Sequence, residues 1–239
     1  MPVRRFLCAA WSVSLVLLFT ACGIEDIIYL YPPTRTYENS NLDDVSKRYC
    51  EFRTADSENA RSEAEPYFKG TEIYYRIYES EADCVAATKD IEKRNEDNPA
   101  GIALYLLETI NYSRLAFQNI DIWLRPLIVK SNVNRRIRFR LQNYSSGGTG
   151  SIAALTIDGA FKGVPCRGQR IVEEKRLFTG ANISRDDVDV VKTSSAASQA
   201  FWYVNFYAAS YGYDDSFKTI YSSVAHLGFI KIDKAAAKK

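Results

Sequence analysis

Apolar and polar positions alternate most regularly between residues 70 and 80. In GTEIYYRIYES, Ile73, Tyr75 and Ile77 fall on one face, and Glu72, Tyr74, Arg76 and Tyr78 fall on the other. A period of two in a β-branched and aromatic segment predicts a strand. QAFWYVNFYAASYGYDDS predicts a second, longer strand, with Phe201, Tyr203 and Tyr207 opposite Trp202, Val204 and Phe206. SKRYCEFRT, YSRLAF, RPLIVKS, NRRIRFRLQNY, SIAALTIDG and TIYSSVAHLGFIKID complete the strand-like set. Pro32-Pro33 suits an edge strand or a stiff entry to the fold. The polar stretches 55–66 and 145–150 read as a loop and a hairpin turn.

Between residues 80 and 110 the period changes. Ser80-Glu81-Ala82-Asp83 has the form of a capping box, and Cys84, Val85, Thr88 and Ile91 follow at helical spacing. Asn98-Pro99 opens a second helical segment, GIALYLLETI. The apolar face of this insertion needs something to cover. Tyr74, Tyr78, Tyr203 and Tyr207 line the non-core faces of their strands. They are either covered by the helices or exposed as a binding stripe, and the expectation is cover. A second candidate binding feature is NRRIRFRL. There Arg136, Arg138 and Arg140 project together while Ile137, Phe139 and Leu141 turn inward. This arginine row is a solvated strand face or a docking stripe for acidic lipid, glycan or protein.

The chain opens differently. Arg4 and Arg5 precede an apolar run from Phe6 to Ala21, too short for a standard membrane span. A basic head, an apolar middle and a small residue before a cut read as a signal peptide over residues 1–21. Phe19-Thr20-Ala21-Cys22 resembles the lipobox of bacterial lipoproteins, in the relaxed form found in spirochaetes, since Phe19 stands where Leu is usual. The resemblance implies diacylglyceryl transfer to the Cys22 thiol, cleavage after Ala21, and acylation (palmitate or a similar chain) of the new amino terminus.

Composition narrows the rest. The chain has 31 Lys and Arg against 29 Asp and Glu; losing Arg4 and Arg5 leaves a mature formal charge of zero. A nucleic-acid partner, which needs a clear positive excess, is not expected. A content of 46% hydrophobic residues describes a folded chain with a core. Beyond Cys22, Cys50, Cys84 and Cys166 are too dispersed for a metal centre; buried free thiols are expected, and an export route permits at most one disulfide among the three. His226, the single histidine, lies in an apolar segment with no nucleophile motif beside it. Asp186, Asp187 and Asp189 lack the Gly and distal Glu of a calcium loop and read as a solvated turn. No cofactor, metal or catalytic residue is expected.

Two segments resemble fibronectin type III modules. Gly70-Thr71-Glu72-Ile73-Tyr74-Tyr75-Arg76-Ile77-Tyr78 is similar to the Gly-Tyr-x-Ile-Tyr-Arg run of that family, with Thr71 replacing Tyr. Trp202, Val204, Phe206, Ala208 and Gly212 are similar to its penultimate strand, and YSSVAHLGFIKI to its closing strand. The resemblance implies an antiparallel, immunoglobulin-like β-sandwich in which the first two strands are neighbours. The chain is about twice the length of a plain module, which implies insertions.

The expected organisation is a signal peptide over 1–21 and a lipidated start and linker over 22–33. A mainly β, fibronectin type III-like sandwich follows over 34–233, with a helical insertion at about 80–110, and then a basic tail over 234–239. The expected role is that of an exported, membrane-anchored lipoprotein, facing the periplasm or on the cell surface, presenting a non-catalytic binding or adhesion domain to a protein or glycan. A structural envelope component is the alternative, and a lipid-anchored hydrolase ranks third.

Overall fold

A computed structural model describes residues 28–38, 43–118, 125–143, 152–168, 177–193 and 200–234. The segment read as a signal peptide, Cys22, the stretch 145–150 read as a turn and the tail beyond Lys234 lie outside the described residues. The strands are β1 (Thr34–Arg35), β2 (Cys50–Arg53), β3 (Phe68–Tyr78), β4 (Ser113–Phe117), β5 (Ile128–Val129), β6 (Arg136–Arg140), β7 (Ala154–Ile157), β8 (Ala160–Gly163), β9 (Pro165–Arg167), β10 (Val190–Val191), β11 (Phe201–Tyr213), β12 (Thr219–Tyr221) and β13 (Ala225–Asp233). Helices α1 (Asp56–Ala60) and α2 (Glu81–Asp97) are followed by α3 (Ile102–Leu104), which runs into a π-helical turn over Tyr105–Thr109.

These strands build two sheets. The smaller has the order β1-β2-β6-β7-β8. The larger has β11 and β3 at its centre, paired antiparallel from Tyr203↔Tyr78 to Gly212↔Phe68. β13 and β12 line the free side of β11. The free side of β3 is filled in turn by β5, β4 and β10, of which β10 alone runs parallel to it. Gly70 allows β5 its close approach: its φ is +149°, and a β-carbon there would collide with the Ile128 carbonyl.

One hydrophobic core lies between the sheets. Phe52, Ile137, Phe139 and Leu155 come from the smaller sheet and meet Ile73, Tyr75, Ile77, Val204, Phe206 and Ile230 from the larger. The molecule is thus a mainly β, sandwich-like fold with predominantly antiparallel pairing. The inward faces follow the period of two read from the sequence in β2, β3, β6 and β11.

Three local readings change. The stretch read as a polar loop at 55–66 contains α1, with Asp56 and Asn59 buried. Asp56 accepts from Thr54 and Arg135, and Asn59 takes both backbone groups of Tyr31, so buried polarity is satisfied by distant partners. The packed chain also begins before residue 34, since Leu30 is fully buried against Ala64 and Phe68. Finally, Asp187 and Asp189 are not a solvated turn. Both are buried on Arg167, which also donates to the Asn182 carbonyl. Tyr75 donates to Asp189 at 2.8 Å, anchoring the 177–193 segment to the core. Only Asp186 remains exposed, held by Lys192 at 2.8 Å.

Candidate functional site

The outer face of the larger sheet is closed. α2 starts on Ser80, whose hydroxyl accepts from the Asp83 amide, and lays Cys84, Thr88 and Ile91 onto the sheet. Ile91, Ile102, Ala103 and Leu106 pack with Tyr74, Tyr207, Ala209 and Tyr211. Cys84 packs with Tyr78 and Tyr203. Tyr74, Tyr78, Tyr203 and Tyr207 are all buried. As candidate binding residues they therefore present no stripe to solvent, because the helices take up their apolar rings.

Asn205 links several of the polar groups under this cover. Asn205 donates to Thr88 at 2.9 Å and to the Tyr112 hydroxyl at 3.1 Å. Its carbonyl is left as the acceptor for His226 Nε2 at 2.9 Å, which assigns the Nε2–H tautomer. The imidazole lies against the Tyr207 ring, with Nδ1 3.4 Å from Glu92. Glu92 is half exposed and screened by water, so burial dominates and lowers the His226 pKa to about 4. His226 reaches this face through a bulge. The register of β13 shifts beside Phe206 and Tyr207, which sends Leu227 and Gly228 inward together and His226 outward. Glu72 is also buried here, bound by Arg125 and by the Tyr74 hydroxyl, with Arg125 stacked 4.0 Å over the Tyr211 ring.

The outer face of the smaller sheet is different. Ile137, Phe139 and Leu141 are buried, so Arg136, Arg138 and Arg140 point away from the core. Arg136 is exposed and lies beside Arg53, also exposed. The guanidinium of Arg138 sits 3.7 Å over the Tyr49 ring, and that of Arg140 sits 4.8 Å from it. Tyr37 stacks on Tyr49 at 4.0 Å with 14° between the planes. Burial, then the neighbouring Tyr49, raises the Tyr37 pKa and keeps its hydroxyl neutral. Glu51 lies 3.9 Å from Arg138, and Asp158 accepts from the Arg136 amide. Arg140 donates to the Ser46 carbonyl. Stacking on an aromatic ring restrains a guanidinium without consuming all its donors, and so presents fixed positive charge. The sequence pattern located this row; the Tyr37–Tyr49 platform beneath it was missed, because those residues are brought in by chain distant from β6.

Cys50, Cys84 and Cys166 are buried. Burial raises the Cys84 thiol to about 12 and Cys50 beyond it, so neither is a ready nucleophile. No group of three or more His, Cys, Asp or Glu side chains among the described residues is arranged to hold a metal. Also among the described residues, no helix is long and apolar enough to cross a membrane. Comparison with family models, with curated proteins and with solved structures finds no match to this chain.

Proposed function

We propose that the chain is an exported lipoprotein, held to a membrane through Cys22, whose fibronectin type III-like sandwich binds an anionic partner. The observation that carries the binding half is the arginine row, with Arg138 stacked on Tyr49 and Arg136 exposed beside it, on a face that no other element of the described chain covers. The neutral mature chain makes this a local basic surface rather than a general polycation. The sequence Phe19-Thr20-Ala21-Cys22 carries the anchor. The fibronectin reading is supported by β3 and β11 lying side by side with β13 closing against β11. It must also accommodate the helical cover and the parallel β10.

Two measurements test the two halves separately. Labelled palmitate enters the wild type and not Cys22→Ser; equal labelling removes the anchor from the account. Heparin, used as a polyanionic probe, retains the wild-type protein at low salt and releases the double variant Arg136→Gln/Arg138→Gln earlier. Coincident elution removes the arginine face.

A further inference from the structure

The end of the sandwich nearest Cys22 carries a second set of features that the binding face does not use. Tyr31 is fixed there by Asn59, and its carbonyl also accepts from Ser210. Leu30 is fully buried. Cys22 stands eight residues ahead of Leu30, and a chain of that length spans at most about 28 Å even when fully extended. A lipid on Cys22 therefore holds this end, and not the opposite one, next to the bilayer.

This end carries exposed apolar side chains. Phe217 is 86% exposed at the tip of the turn between β11 and β12, Tyr29 is 53% exposed, and Val129 and Val133 are each 62% exposed. The register places them together at one end. Gly212 faces Phe68 at the start of β3, and Val129 faces Gly70. Asn134 bonds α1, the helix that holds Tyr31. Phe217 is not on a slack loop. Asp214 accepts from the amides of Ser216 and Lys218, and the Phe217 amide bonds the Asp214 carbonyl. Tyr67 ties Asp215 to the body. Within that turn Phe217 has a φ of +58°, a conformation that disfavours a bulky side chain. The turn accepts that strain while holding a phenyl ring in water.

We propose that this end is a lipid-facing surface, with Phe217 inserted at the interface of the bilayer to which Cys22 is attached. Tyr29 and Tyr31 suit the headgroup level, with an apolar ring and a polar tip. The charges around the patch are mixed: Lys130 pairs with Glu65, and Asp214 and Asp215 flank the tip. The contact is therefore apolar and needs no anionic lipid. It adds a second point of attachment and fixes the orientation of the domain, leaving the arginine face at the side and the β10 end pointing outward.

This inference rests on the Cys22 anchor, and its test is independent of how the anchor is made. Full-length Phe217→Trp and Val188→Trp are reconstituted in phosphatidylcholine vesicles in which part of the lipid is brominated in its acyl chains. Val188, 67% exposed, lies just before β10 at the far end of β3. Fluorescence lost beyond that of the wild type is expected for Phe217→Trp, with none for Val188→Trp. The expected loss is unchanged by salt. Equal loss for the two, or none for either, overturns the proposal. If palmitate labelling shows that Cys22 carries no lipid, the same variants are coupled through Cys22 to a maleimide lipid. Cys8 is changed to Ser for that coupling, the buried Cys50, Cys84 and Cys166 do not compete, and the two outcomes keep their meaning.

Discussion

On the outer face of the larger sheet, Tyr203 is the most accessible of the four tyrosines Tyr74, Tyr78, Tyr203 and Tyr207, at 6%. On the outer face of the smaller sheet, Arg138 keeps 42% of its side-chain surface. Both faces come from strands with the same period of two. The difference lies in what occupies the outward positions and in whether the chain supplies a cover. Tyrosine outward demands burial, and the insertion after β3 meets that demand with Cys84, Thr88, Ile91 and Leu106. Arginine outward does not: the Arg138 guanidinium lies over the Tyr49 ring and still keeps part of its surface in water. Among the described residues, one outer face of the sandwich is covered and the other is not.

The largest expected effect comes from breaking the closed face. Tyr207→Ala empties a site between Tyr112 and His226 and is expected to lower stability by about 3–5 kcal/mol, as for other buried aromatics. Chemical denaturation measures this, and a loss under about 1 kcal/mol would show that the helices are only loosely applied.

A smaller effect is expected from pH. The folded state holds His226 at about 4, below its ordinary value of 6.5. Between these values the unfolded chain binds more protons, so stability rises with pH. The contribution is complete above pH 6.5 and is lost as pH falls from 6.5 through 4. His226→Gln, which can still donate to Asn205, should flatten that part of the profile. Unchanged slopes in wild type and variant would mean that the imidazole is already free to protonate in the fold.

The smallest effect sharpens the open face. Arg138→Gln loses one cation–π contact and is expected to cost no more than about 1 kcal/mol, while retention on a polyanion falls. A large stability loss would instead make the arginine row a structural girdle.

The sequence pattern was informative where partners are local. Ile73, Tyr75 and Ile77 declared the inward face of β3, and Ser80 the start of α2. Apolar side chains on both faces of β3 and β11 were enough to expect a cover. It failed where partners are distant. Asp187 and Asp189 resemble a hydrated turn until Arg167 is seen between them, about 20 residues away in the chain. Asp56 and Asn59 look like loop residues until Arg135 and the Tyr31 backbone satisfy them. The bulge at Gly228, with a φ of +94°, moves His226 from the core side to the helix side, and no alternation pattern carries that shift.

Hydroxyl-radical footprinting of the native protein compares the two faces in one experiment. Tyr74, Tyr78 and Tyr207 are expected to stay unmodified beneath α2 and α3. Phe161, 58% exposed on β8 and aligned with Thr156 and Arg138 on the open face, is expected to oxidise readily. Oxidation of the three tyrosines at the rate of Phe161 would contradict the closed face and return them to the surface as a binding stripe.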